Sequence, residues 1–251
     1  RPTIHRFNDL TIPRFNASTV QRFNASPLQR SNCPMIESAT GIVMRTYPLT
    51  DTSLIVHWLT PLHGRIATVA KGARRPNSPF RGKLDLFYLC DFNFYRSRHS
   101  ELHTLKEVSV RDAHHALRID IVRLQQAAYC AALIEQTTEA ETPLPGIFNL
   151  FAGLLVHLCS NPSGAHAVYA FELKLLTELG LKPNPDKMRL SPGSKQIVKY
   201  LIERDWGELA RLHLTDEQTT ELRQFLHGFL IYHIGKLPEG RAEALKTAVK
   251  L

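Results

Sequence analysis

No run of about 18 consecutive apolar residues occurs in this chain of 251, so no segment reads as a membrane-spanning helix. The longest candidate, Phe225 to Ile234, is interrupted by His227, Gly228 and His233. Cysteine is scarce and scattered, at Cys33, Cys90, Cys130 and Cys159. No two are close enough to form a CxxC pair, which argues against a disulfide framework and a zinc ribbon. That usage points to a reducing cytoplasm. GxSxG, HExxH and Walker sequences are also missing, and no carboxylate pair stands out. Nothing here argues for an enzyme. Core material is not lacking: 43% of the residues are hydrophobic and 22% charged, ordinary for a globular protein of one large or two small domains.

The net charge of +8 is unevenly placed. Residues 1–34 hold five arginines against Asp9, and residues 35–114 hold eleven basic and seven acidic residues. Residues 115–251 carry fifteen of each and sum to zero. The basic character belongs to the first part of the chain.

Part of it sits in a repeat. Arg6-Phe7-Asn8, Arg14-Phe15-Asn16 and Arg22-Phe23-Asn24 recur every eight residues, with a degraded copy at Arg30-Ser31-Asn32. Solenoid repeats run at about 20 residues or more and must bury a face against their neighbours. Eight residues ending in Asn-Ala-Ser offer little to bury. The chain begins with Arg1 and its first methionine is Met35. Residues 1–34 therefore read as a non-native or disordered leader, a tandem repeat translated ahead of a start at Met35. The alternative is an arginine-rich arm that grips nucleic acid.

From Met35 to about Asp112 the texture is β. Thr40–Tyr47, Ser53–Thr60, Arg65–Lys71, Leu84–Tyr95 and Leu102–Arg111 are rich in branched and aromatic residues, and Pro61-Leu62-His63-Gly64 is a tight turn. Five strands in so short a span suit a small closed Greek-key barrel. After Asp112 the period becomes helical. Ile147, Leu150, Phe151, Leu154, Leu155 and Leu158 form a full amphipathic stripe. Leu117, Ile121, Leu124, Ala128 and Ala131 suggest another on the preceding helix. Val168–Leu179 ends at Gly180 with Pro183 beyond, and Thr215 to Gln218 has capping-box spacing ahead of Leu222, Phe225, Leu226 and Phe229. These stripes are read as core packing within an antiparallel helical domain.

The segment that asks for a function is the loop between the third and fourth strands, Lys71 to Lys83. Lys71, Arg74, Arg75, Arg81 and Lys83 fall within 13 residues, and no acidic residue occurs from Arg65 to Leu84. Gly72, Pro76, Pro79 and Gly82 prevent a helix, so the charges are expected on an exposed, irregular loop. Clustered unpaired cations beside a small barrel are the electrostatic footprint of phosphate-backbone binding. Phe80 is expected to add a stacking surface for a base. The bland reading is a solvated face. His99 and His103 lie between strands, where a shared metal is not expected. His114 and His115 read as a solvated pair, with phosphate contact as the alternative.

Thr60-Pro61-Leu62-His63-Gly64-Arg65, followed by Ala70-Lys71-Gly72-Ala73-Arg74-Arg75-Pro76-Asn77-Ser78, resembles the signature of the bacterial RecO recombination mediators. Tyr129 with Leu133-Ile134-Glu135 and Glu139-Ala140-Glu141 fits that family's first long helix, and Phe171 to Gly180 the helix before its variable insertion. The resemblance runs from about Met35 to Leu245. It implies an α+β protein: an N-terminal OB-fold, a five-stranded barrel over residues 35–114, followed by an all-α domain over 115–251. It also implies a non-enzymatic role in DNA repair without a cofactor. Family members bind single- and double-stranded DNA, anneal complementary strands, and load the RecA recombinase onto gaps coated by single-strand-binding protein, acting with RecR and often RecF. Many carry two CxxC pairs after the Leu-Gly that ends this helix. Here Leu181–Ser191 contains no cysteine, so a zinc module is not expected.

Two function classes follow. In one, the barrel loop holds the DNA backbone while the helical domain docks protein partners. In the other, the protein is chiefly an adaptor for RecR and for the acidic C-terminal tail of the single-strand-binding protein. Arg118, Arg123 and Lys174 are candidates for a basic rim around such a tail. A metal-dependent nuclease would be a third class, without a motif to support it.

Overall fold

The computed structural model describes residues 35–184 and 187–246. The leader and Cys33 lie outside the described residues. Five strands come first: β1 (Ile36–Pro48), β2 (Leu54–Thr60), β3 (Gly64–Ala70), β4 (Leu89–Tyr95) and β5 (Leu102–Asp112). They close into a barrel in the order β1-β2-β3-β5-β4. All pairs are antiparallel except β3 with β5, which is parallel and short, from Ala67↔Leu102 to Val69↔Thr104. Long β1 makes closure possible. Its first half pairs with β4 and its second with β2, and a register shift between Val43 and Arg45 bends it from one partner to the other.

Strict alternation along β3 and β4 sends every second residue into the barrel. Inside, the Trp58 ring stacks on Phe92 at 4.1 Å and its indole N–H donates to Thr68 Oγ1 at 2.8 Å. The indole's single polar atom is thereby satisfied without water. β4 starts at Leu89, five residues later than the sequence reading places it. Leu84–Tyr88 is drawn out of the sheet because Phe87 takes a left-handed backbone (φ 62) while its N–H donates to the Val43 carbonyl.

A short 3-10 turn, His115–Arg118, leads into α1 (Ile121–Thr137), α2 (Pro145–Ser160), α3 (Ala165–Glu178), α4 (Pro192–Glu203), α5 (Trp206–Leu209), α6 (Asp216–Ile234) and α7 (Arg241–Ala244). All six residues of the expected α2 stripe are buried, and α3 is buried on nearly every side. The capping box on Thr215 forms as its spacing predicts. The α1 stripe does not. Ile121 is 65% exposed and Ala128 is exposed, while Ala127, Cys130, Ala131 and Ile134 are buried. The helix starts from the Asp120 cap, so Leu117 sits on the preceding turn and does not share its phase.

The barrel keeps a core of its own around Trp58 and Phe92, and a second set of its side chains joins the core of the helices. Ile42, Met44, Leu59 and Phe87 belong to the same hydrophobic cluster as Phe151, Leu154 and Phe171 of the helical body. Burial of such side chains is worth about 1.5–3 kcal/mol each, which makes this contact a fixed joint rather than a linker.

Candidate nucleic-acid interface

The loop after β3 is a chain of turns. Backbone bonds run from Ala73 to Ala70, Arg75 to Gly72, Ser78 to Arg75, Arg81 to Ser78 and Lys83 to Phe80. Gly72 and Gly82 supply the left-handed positions these turns need, with φ of 71 and 70. Two anchors hold it. The Arg74 N–H donates to the Thr52 carbonyl at 3.0 Å and its guanidinium to the Thr50 carbonyl at 3.1 Å, tying the loop to the β1–β2 turn. Phe80 is the second anchor. It is only 7% exposed and packs with Trp58, Tyr88 and Phe92 in the barrel core.

That corrects the role expected of Phe80. A ring plugged into the barrel offers no face to a base. In an irregular loop without amphipathic period, only the closure of the barrel beneath it reveals which way the ring turns.

Lys71, Arg74, Arg75 and Arg81 are exposed and Lys83 is half-buried. Among the described residues none of the five has an ion-pair partner, whereas Asp85, at the loop's far edge, is taken by Arg118 at 3.1 Å. The loop thus gathers five cations on an ordered turn scaffold at one end of the barrel. Such charges in water gain little from one another, but each can release a condensed counterion when it meets a phosphate.

The other half of the sequence signature does something different. Thr60 Oγ1 accepts from the His63 N–H and donates to the Gly64 carbonyl, closing the β2–β3 turn. The Arg65 guanidinium donates to the Thr138 hydroxyl and carbonyl, and the Glu141 and Leu144 N–H groups donate to the Arg65 and Pro61 carbonyls. This turn is the clamp between the barrel and the α1–α2 loop. Around it lies a charged cluster with no local signal in sequence. Arg96 bonds Glu37 at 2.6 Å and Glu141 at 3.1 Å, and His103 Nε2 lies 3.4 Å from Glu141. The Arg96 guanidinium holds the Glu37 carboxyl below its ordinary pKa, and burial lowers that of His103, which is 1% exposed. His114 is also buried, its ring nitrogen 2.7 Å from the Phe87 carbonyl, so it is not part of a solvated pair.

The three proposed rim cations are already occupied, on different elements. Arg118 covers the Tyr88 ring at 4.7 Å besides pairing with Asp85. Arg123 pairs with Asp120 across one turn. Lys174 donates to the Ile202 and Arg204 carbonyls, capping α4. They do not surround one pocket.

A closed five-stranded barrel of OB topology, clamped to a helical body and carrying a basic loop, defines a class of two-part proteins built of a barrel and a helical domain. Family models narrow it. Recombination protein O N terminal matches residues 35–114, and Recombination protein O C terminal matches residues 118–187. The chain is similar to the DNA repair protein RecO of Alkaliphilus metalliredigens, 34% identical over 249 residues, covering 84% of this chain and 99% of the relative. It is also similar to those of Bacillus pumilus (25% over 224 residues; 76% and 87% covered) and Exiguobacterium sibiricum (26% over 208 residues; 81% and 82%). The chain belongs to the RecO family of DNA repair and recombination proteins.

Proposed function

We propose that this protein binds DNA through the Lys71–Lys83 loop, anneals complementary strands by neutralising both, and helps load the RecA recombinase onto gaps coated by single-strand-binding protein. In this reading it acts at the nucleoid, in the cytoplasm, with RecR and in some settings RecF, and performs no enzymatic step. The observation that supports it is the loop: five cations on one ordered turn scaffold, with no carboxylate partner among the described residues. The adaptor reading has its own support. A cavity of about 550 Å³ beside α6 is lined by Leu237, Pro238 and Leu245 together with Arg223, His227, Arg241 and Glu243. Apolar side chains beside the Arg223 guanidinium suit an acidic peptide that ends in an apolar residue, such as the tail of single-strand-binding protein.

The triple change Arg74→Ala, Arg75→Ala and Arg81→Ala separates the two. The Arg74 backbone anchor to Thr52 and the buried Phe80 anchor remain in this variant, and the exposed side-chain bonds it loses, to the Thr50 and Pro76 carbonyls, are worth about 0.5–1.5 kcal/mol each. Each lost single-strand phosphate contact removes about −0.7 from the slope of log affinity against log salt, so three remove roughly −2. The variant is expected to bind DNA more weakly, with a flatter salt slope and slower annealing, while capture of the tail peptide persists. Binding and annealing equal to the parent at moderate salt would make the loop a solvated face and leave the adaptor reading standing.

A further inference from the structure

With Phe80 inside the barrel, the loop has phosphate-seeking charge but no exposed aromatic ring. One lies on the sheet beside it. On β2 and β3 the residues that point inward include Val56, Trp58, Ile66, Thr68 and Ala70, all buried, and on β1 Tyr47 pairs with Ile55 of the other phase. Tyr47, Ile55, His57, Ala67 and Val69 therefore face outward. Register puts Tyr47 opposite Ile55, Ile55 opposite Val69, and Val69 opposite Thr104, one row across four strands. Tyr47 is 42% exposed, and Ile55, Val69 and Thr104 are half-buried. The ring is held rather than loose. His57 meets it edge-on at 5.5 Å, and Arg45 Nη1 donates to its hydroxyl at 3.0 Å.

This row continues into the basic loop. Lys71 follows directly on β3, two residues beyond Val69, and the β1–β2 turn that follows Tyr47 is where Arg74 is anchored. On the opposite side the face is closed off, since Arg45 pairs with Glu135 of α1 at 2.8 Å. Burial, with Arg45 and Arg65 adding to it, keeps the His57 imidazole below its ordinary pKa.

We infer that Tyr47, backed by His57 and Ile55, is a stacking platform for nucleobases of a single strand whose phosphates lie on Lys71, Arg74 and Arg75. This rests on the DNA-binding reading of the loop and adds a substrate preference to it. A base can lie on a tyrosine ring only if it is free of its neighbours. Duplex DNA keeps its bases stacked inside and offers this row only its backbone, so the loop serves both forms and the platform serves one.

Tyr47→Ala, Tyr47→Trp and the triple loop variant are to be titrated, as full chains, against labelled oligothymidylate and a blunt duplex across a salt series. Tyr47→Ala is expected to weaken single-strand binding about tenfold and to leave duplex affinity within about twofold. Its salt slope should match the parent, because stacking releases no counterion. Tyr47→Trp should keep the affinity, and its indole emission should be quenched by the single strand and not by the duplex. The loop variant should lose both substrates and flatten both slopes. If Tyr47→Ala binds both forms like the parent, or weakens both equally, while the loop variant still loses DNA, the platform is overturned and the loop reading survives. If the loop variant also binds like the parent, the loop reading itself has failed. Circular dichroism of Tyr47→Ala checks that the barrel is intact.

Discussion

Glu172→Ala is expected to cost about 3–5 kcal/mol of folding stability, the largest effect of any single carboxylate among the described residues. Glu172 is fully buried on α3, where the Arg241 guanidinium grips it with two bonds, at 2.7 and 2.9 Å, and the Tyr129 hydroxyl donates to it at 2.7 Å. Three elements, α1, α3 and α7, meet on that one carboxylate. Removing it leaves a guanidinium that is 8% exposed without a counter-charge and a phenol without an acceptor. Urea denaturation with an unchanged m-value reads the loss as a lower midpoint. The double variant Glu172→Leu with Arg241→Met removes the charge with its partner and should lie closer to the parent than Glu172→Ala does, because no ion is stranded. A midpoint for Glu172→Ala within about 1 kcal/mol of the parent would mean that α7 does not depend on the pair.

The second large effect is at the clamp. Gly64 has φ 64, and a Cβ built on it would lie 1.9 Å from the Thr142 carbonyl oxygen. Gly64→Ala therefore imposes about 1–2 kcal/mol for an L-residue in the left-handed region. It also forces the α1–α2 loop away, which breaks backbone bonds worth about 0.5–1.5 kcal/mol net each. A destabilisation of about 3 kcal/mol is expected, with new proteolytic cleavage between Thr138 and Leu144. DNA affinity of the surviving folded protein should stay near that of the parent, because Gly64 opens β3 at one end of the barrel and the basic loop leaves β3 at the other. Loss of DNA binding without loss of stability would place this turn in the interface instead.

Much of this architecture is legible in the sequence. The strands announce themselves through branched and aromatic residues, the α2 stripe through its spacing, and α6 through Thr215 and Gln218. The basic loop is legible as well, because Gly72, Pro76, Pro79 and Gly82 forbid regular structure and no carboxylate lies near in sequence. Phe80 and Tyr47 show the limit. Phe80 looks like an exposed ring because its neighbours are polar, and Tyr47 looks like one more strand aromatic. Closure of the barrel exchanges their roles, placing one ring in the core and leaving the other on the outer face.

The sequence by itself determined that five strands precede a run of helices, where α2 buries its stripe and α6 is capped, and that Lys71 to Lys83 has no acid within its own stretch. Each of these depends on residues a few positions apart. The tertiary structure decided which charges remain free and which side chains face the core. Arg96 finds Glu37 across 59 residues, Arg118 finds Asp85 across 33, and Arg241 finds Glu172 across 69, while the loop arginines meet no carboxylate among the described residues. Ion pairing and burial depend on distance in space, and only the folded chain brings such separated residues within a few ångströms.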